Sequence, residues 1–209
     1  MDFIRVYENV IEDSLCDKII KYYEDNHDKT NIRSKHAIDK KSVVLIPSYT
    51  HDVEMKYILT ELKKSFDKYY TKYINSLPLN SKECAFKTHL QNENLFLENI
   101  VIEKMGKGDF HGWHHDDVYP LRRTVSCIWY LNTLCEDDGG YTEFECGKKN
   151  IPKKGSLMFF PSEWIHIHCH TPIIKDMTRY TCKTWITINQ PENISHNSIE
   201  PIIHKHYII

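Results

Sequence analysis

From about residue 96 onward, short β-branched or apolar runs alternate with compact turn clusters, and this punctuation constrains the fold more than any other feature of the chain. Runs near 98–105, 109–115, 123–132, 141–146, 156–161, 164–170 and 179–188 predict strands. The turns between them are DDGG at 137–140, GKKN at 147–150, PKKG at 152–155 and PIIKDM at 172–177. Many short strands so closely spaced predict a two-sheet sandwich or jelly roll. Residues 1–95 carry a different pattern, charged and helical. Segment 13–26 opens on Asp13 or Ser14 as N-cap, sets Leu15, Ile19, Ile20 and Tyr23 at helical spacing, and ends at Asn26 and Asp28. Segment 52–76 is a longer amphipathic helix with a stripe of Met55, Ile58, Leu59, Leu62, Phe66, Tyr69, Tyr70 and Tyr73, stopped by Pro78. The expected class is α+β, with a jelly-roll core over 96–188, the N-terminal helices of residues 1–95 packed on one sheet, and a C-terminal extension over 189–209. At 209 residues this is one domain.

Composition removes several function classes. The 27 basic and 29 acidic side chains nearly cancel, which argues against a partner chosen by bulk positive charge such as nucleic acid. No stretch approaches the ~20 apolar residues that span a bilayer, so no membrane partner is expected. The N-terminus has acids at positions 2, 8, 12 and 13 and lacks a signal-peptide apolar run. Seven cysteines, odd in number and never in a CxxC pair, read as small buried residues of a reducing, cytoplasmic setting (a host cytoplasm if the source is viral).

Two residue types are concentrated in the β half. All seven glycines fall between 106 and 155, and six of the thirteen histidines lie at 111, 114, 115, 166, 168 and 170. Within GDFHGWHHDD (108–117), strand alternation points His114 and Asp116 at one centre, or His115 and Asp117 in the shifted register. About fifty residues later His166, His168 and His170 share a strand face. Two imidazoles and one carboxylate can make a facial triad that leaves open positions on Fe(II); zinc accepts the same ligands but keeps fewer positions open.

From 102 to 187 the chain resembles the prolyl 4-hydroxylase-like branch of the Fe(II)/2-oxoglutarate-dependent dioxygenases. The resemblance rests on WHHD (113–116), IWYLN (128–132), GGYTEF (139–144), GSLMFFPSEW (155–164) and TRYTCKTW (178–185), in that order and spacing. The N-terminal IRVYENVIEDSLCDKII is similar to that family's lead-in helix. The resemblance implies a double-stranded β-helix core with His114, Asp116 and His168 as iron ligands. His168 stands four residues after Trp164 and four before Pro172, as the family pattern has it, which leaves His166 and His170 lining or flanking the pocket. Arg179 matches the basic residue that pairs with the distal carboxylate of 2-oxoglutarate. Tyr130 matches the tyrosine whose hydroxyl donates to the same carboxylate, and Trp185, six residues beyond Arg179, walls the pocket. The implied cofactors are Fe(II), 2-oxoglutarate, O2 and, in addition, ascorbate. The implied reaction hydroxylates a C–H bond, of a prolyl residue in a peptide or protein by family analogy, with succinate and CO2 as co-products.

The chain departs from the family pattern at two places. Met105 stands where a tyrosine commonly precedes the first-motif glycine, and the link Ile173–Met177 is one residue longer than usual. Arg122 and Arg123 read as a solvated strand start, and Thr142 and Phe144 as core. The competing readings are hydroxylation of a free amino acid or small metabolite, a non-catalytic jelly-roll binding module, and a zinc hydrolase. The last leaves Arg179 without a role.

Overall fold

A computed structural model describes residues 2–30, 32–34, 39–46, 51–78, 90, 95–117 and 122–187. The expected C-terminal extension lies outside the described residues. Two helices precede the β half, α1 (Asp13–Thr30) and α2 (Val53–Ser76). Helix α1 outruns its expected end because Asn26 Nδ2 donates to the Tyr22 carbonyl one turn back (3.0 Å), so that the side chain bonds within the helix instead of breaking it. Helix α2 is capped by Asp52, whose carboxylate accepts from Met55 N at 2.9 Å. Its stripe of Met55, Ile58, Leu62, Phe66 and Tyr73 is buried, as the periodicity requires. No described helix is long and apolar enough to cross a membrane.

The strands are β1 (Arg5–Tyr7), β2 (Ile32–Ser34), β3 (Asp39–Ile46), β4 (Phe96–Leu97), β5 (Ile100–Met105), β6 (Phe110–His114), β7 (Arg123–Tyr130), β8 (Thr142–Phe144), β9 (Lys149–Asn150), β10 (Ser156–Pro161), β11 (His168–His170) and β12 (Arg179–Thr187). They hydrogen-bond in the order β1-β10-β7-β12-β5-β3-β6-β11-β8-β9, with β2 on β3 and β4 on β12, and the pairings are antiparallel among the described residues. The expected strands of the β half are present. The run at 164–170 differs, since Trp164–His166 form a short 3-10 turn and the strand starts only at His168.

The N-terminal half is less purely helical than its charge pattern predicts. Strand β1 lies in the segment expected to lead into the first helix, and it pairs with β10. Strand β3 pairs with β5 along Ser42–Ile46 and with β6 at Asp39–Lys40, joining the two halves of the sheet path. Apart from the local pairing of β3 with β2, their partners are far along the chain, so local periodicity carries no record of those pairings.

Strand alternation separates two cores. Val125, Cys127 and Trp129 of β7 and Leu157 and Phe159 of β10 pack against α1 and α2. The intervening Ile128, Tyr130, Met158 and Phe160 turn the other way and cluster with Phe144 of β8 and Ile4. Trp129 Nε1 donates to Ser65 Oγ of α2 (3.0 Å), which satisfies a donor that burial would otherwise leave without a partner. The inner face, away from the helices, is the one that receives the clustered histidines.

Candidate active site

His114 ends β6, and the antiparallel register places it directly opposite His168 of β11, with the two ring centroids 4.3 Å apart. Beyond the end of β6 the chain is held by Ser162 at the end of β10, whose carbonyl accepts from Asp116 N and Asp117 N (3.0 and 2.9 Å). That anchor turns the Asp116 carboxylate inward, 3.4 Å from His114 Nε2 and 3.8 Å from His168 Nε2. Among the described residues, His114, Asp116 and His168 are the one group whose metal-capable atoms converge, all within 4.8 Å of one another. The expected first register is therefore the one that meets β11.

Protonation is set locally. His114 Nδ1 lies 2.7 Å from the Gly112 carbonyl and His168 Nδ1 lies 3.1 Å from the His166 carbonyl. A carbonyl only accepts, so each Nδ1 carries a hydrogen, and in the neutral ring Nε2 is the nitrogen that offers a lone pair on the Asp116 side. Burial, reinforced by neighbouring His114, pushes the His168 imidazole down to about 3 and keeps it neutral. Burial alone would raise the Asp116 carboxyl, but His168, His114 and Arg123 together draw it well below the usual carboxylate range. Ser126 Oγ donates to Asp116 Oδ2 at 2.6 Å and orients it. Two imidazoles with a hydrogen fixed on Nδ1, that of His168 held neutral by burial, and one ionised carboxylate match the donor set of a non-heme Fe(II) centre.

Behind this group the inner face is polar and buried. Arg179, on β12, is 1% exposed, and its Nη1 is 3.0 Å from Glu103 Oε1 of β5 and 3.3 Å from Met105 Sδ. Tyr130 presents its ring 5.5 Å from the guanidinium and its hydroxyl 2.8 Å from Thr142 Oγ1. Lys183 Nζ lies 2.8 Å from the same Glu103 oxygen and 2.7 Å from His170 Nε2. An ammonium only donates, so His170 Nε2 accepts and its Nδ1–H is left for Thr142 Oγ1 at 3.1 Å. Burial and the two cations Lys183 and Arg179 hold the His170 imidazole well below its ordinary pKa. Trp185 lies on the Arg179 face of β12, with the Arg123 guanidinium stacked 3.8 Å above its ring.

All six expected site residues thus stand on or beside one inner face. The expected solvated strand start holds for Arg122, which is exposed, but not for Arg123. Arg123 makes a bidentate pair with Glu98 (2.7 and 2.6 Å) and covers Trp185, which anchors it. His166 is buried against Phe3, while His170 faces inward onto Lys183. Glu103, Lys183 and Ser126 escape the sequence reading. The signal for the first two is parity, since each is a charged side chain at an inward position next to a residue of the helix-packed core, Ile102 beside Glu103 and Cys182 beside Lys183.

Residues 100–187 match the family model described as the 2OG-Fe(II) oxygenase superfamily. Those residues belong to that superfamily. The chain is also similar to a PKHD-type hydroxylase of Synechococcus sp. (strain CC9902), 32% identical over 95 residues, which cover 43% of this chain and 41% of the relative. The match thus spans less than half the length of that curated relative. The fold is shared with solved prolyl hydroxylases. A viral collagen prolyl hydroxylase from Paramecium Bursaria Chlorella virus-1, in a 2OG complex, superposes with a TM-score of 0.65 at 15% identity, over 90% of this chain and 97% of that one. A Pseudomonas putida prolyl-4-hydroxylase gives 0.65 at 16% identity, over 90% and 93%. A Trichoplax adhaerens prolyl hydroxylase, in complex with a hypoxia inducible factor oxygen degradation domain peptide fragment, gives 0.67 at 15%, over 90% and 84%.

Proposed function

We propose that the chain is a 2-oxoglutarate- and Fe(II)-dependent dioxygenase that hydroxylates a prolyl residue in a peptide or protein, on a double-stranded β-helix (jelly-roll) core. The observation that carries this reading is the convergence of His114, Asp116 and His168 on one point, with Arg179 buried on the same inner face. Iron held there would supply, with O2 and 2-oxoglutarate, the oxidising power for C–H hydroxylation, one oxygen atom entering the product and the other the succinate that leaves with CO2.

The chain's own residues do the positioning. The Gly112 and His166 carbonyls keep hydrogens on Nδ1 of His114 and His168, so Nε2 is the nitrogen each ring turns to the metal. Ser126 holds the Asp116 carboxylate, and Arg179 with Tyr130 receives the distal carboxylate of the co-substrate. Ascorbate enters the proposal as a reductant that keeps the iron in its Fe(II) state. A peptide substrate is supported by the Trichoplax neighbour, whose structure holds a peptide fragment.

The test is turnover with Fe(II), 2-oxoglutarate and O2 against a panel of proline-rich peptides and free amino acids, read as succinate release and as product mass. A peptide gaining one oxygen at proline supports the reading. Succinate release stimulated only by a small molecule overturns the prolyl assignment, and tightly held zinc with hydrolysis overturns the oxygenase.

A further inference from the structure

Arg179 already has a carboxylate. The side chains of Arg179, Glu103 and Lys183 are 0%, 2% and 7% exposed, and both cations meet the same oxygen, Glu103 Oε1, at 3.0 and 2.8 Å. Yet the guanidinium is poorly filled. Of its five N–H donors, those on Nη1 meet Glu103 and the weak acceptor Met105 Sδ (3.3 Å), Nη2 has only long contacts to Thr142 Oγ1 (3.5 Å) and His170 Nδ1 (3.4 Å), and Nε is buried with no partner. Two residues along the same face of β12, Thr181 Oγ1 is buried without a partner too. Unsatisfied buried groups are costly, and two of them on one face mark where an incoming acceptor is taken up.

We infer that Glu103 competes with the distal carboxylate of the co-substrate for Arg179, and that Lys183 sets how strongly it competes. The inference rests on the co-substrate assigned above. Two carboxylates against one guanidinium in a low-dielectric interior repel each other, so the co-substrate binds only as Glu103 lets go. Lys183 makes that exchange possible. It holds Glu103 from the other side and is itself anchored on His170 Nε2 at 2.7 Å, so Glu103 keeps a counter-charge when Arg179 turns to the ligand. Glu103 and Lys183 are therefore affinity-determining residues, and they act with opposite signs. Removing the charge of Glu103 deletes the competitor. Removing the charge of Lys183 takes one cation from Glu103 and tightens its hold on Arg179.

Calorimetric titration of the iron(II)-loaded, full-length protein without oxygen reads binding apart from turnover. The probes are 2-oxoglutarate and 2-oxobutanoate, which shares the chelating end but lacks the distal carboxylate. Glu103→Gln should bind 2-oxoglutarate about ten-fold more tightly and Lys183→Met about ten-fold more weakly, the scale of one charge-assisted hydrogen bond gained or lost. Because Lys183 acts through Glu103, the double variant should bind about as tightly as Glu103→Gln alone. The affinity for 2-oxobutanoate should stay unchanged throughout. Unchanged or weaker 2-oxoglutarate binding by Glu103→Gln overturns the inference, as does an equal shift for both probes, which is what structural damage produces. Should Glu103→Gln fail to fold, an unchanged affinity in Lys183→Met overturns it alone. Wild-type protein that binds neither probe overturns the co-substrate assignment, and this inference with it.

Discussion

Ser126 offers the most quantitative test of how the metal group is held. Its hydroxyl donates to Asp116 Oδ2 at 2.6 Å and, with its one hydrogen committed, accepts from Ser162 Oγ at 2.8 Å. Asp116 is 8% exposed, so little water replaces the lost donor when Ser126 becomes alanine. A hydrogen bond to a charged group contributes about 1.5–3 kcal/mol. At about 1.4 kcal/mol per factor of ten, that bounds the loss of metal affinity at roughly 10- to 150-fold, in line with the ~10–100-fold typical of groups that orient a ligand. Competition between the protein and a chromophoric chelator for Fe(II), without oxygen, measures it directly. Ser126→Ala should weaken binding by about 10- to 100-fold, with far-UV circular dichroism unchanged, and Ser126→Thr, which keeps a hydroxyl, should recover most of the loss. Wild-type affinity in Ser126→Ala would refute the argument, because the carboxylate would then hold its orientation without this donor.

His168→Ala should abolish conversion of 2-oxoglutarate to succinate, whereas His115→Ala should leave it measurable; the reverse result in a succinate assay would reinstate the shifted register. Gly139 has φ +73°, and a Cβ there would lie 2.0 Å from the Pro172 carbonyl oxygen. Gly139→Ala should therefore cost about 2–4 kcal/mol in urea unfolding, combining left-handed strain with a backbone clash, and a loss under about 0.5 kcal/mol, the level of an ordinary surface change, would contradict the geometry. In metal-free protein His168 stays neutral down to about 3, chiefly through burial, while the unfolded chain protonates near 6.5. The unfolded state then binds more protons, so stability falls as pH is lowered from about 6.5 to about 3. His166 and His170, also lowered by burial, act in the same direction. A Tm that rises on acidification across that window would contradict the neutral assignment.

Much of the site is legible in the chain because it is built from local units. WHHD carries His114 and Asp116 within three positions, and strand parity places Arg179, Thr181, Lys183 and Trp185 on one face. The choice of His168 over His166 and His170 needs more. It follows from the β6–β11 register that sets His168 opposite His114, while His166 closes the 3-10 turn and His170 sits deeper, on Lys183. Arg123 shows the limit of local reading: two arginines at a strand start look solvated until Glu98, 25 residues upstream, comes alongside.

By itself, the sequence determined the two helices, the strand-and-turn punctuation of the β half and the closeness of His114 to Asp116, because each is written in periodicity or in a short motif. Tertiary structure alone decided that β1 and β3 are strands, that His168 is the imidazole set opposite His114, that Nδ1 of both rings carries a hydrogen, and that Arg179 is engaged by Glu103, 76 residues away. The physical reason is the same in each case. A buried charge or an edge hydrogen bond is defined by its partner, and those partners meet only after the chain has closed on itself.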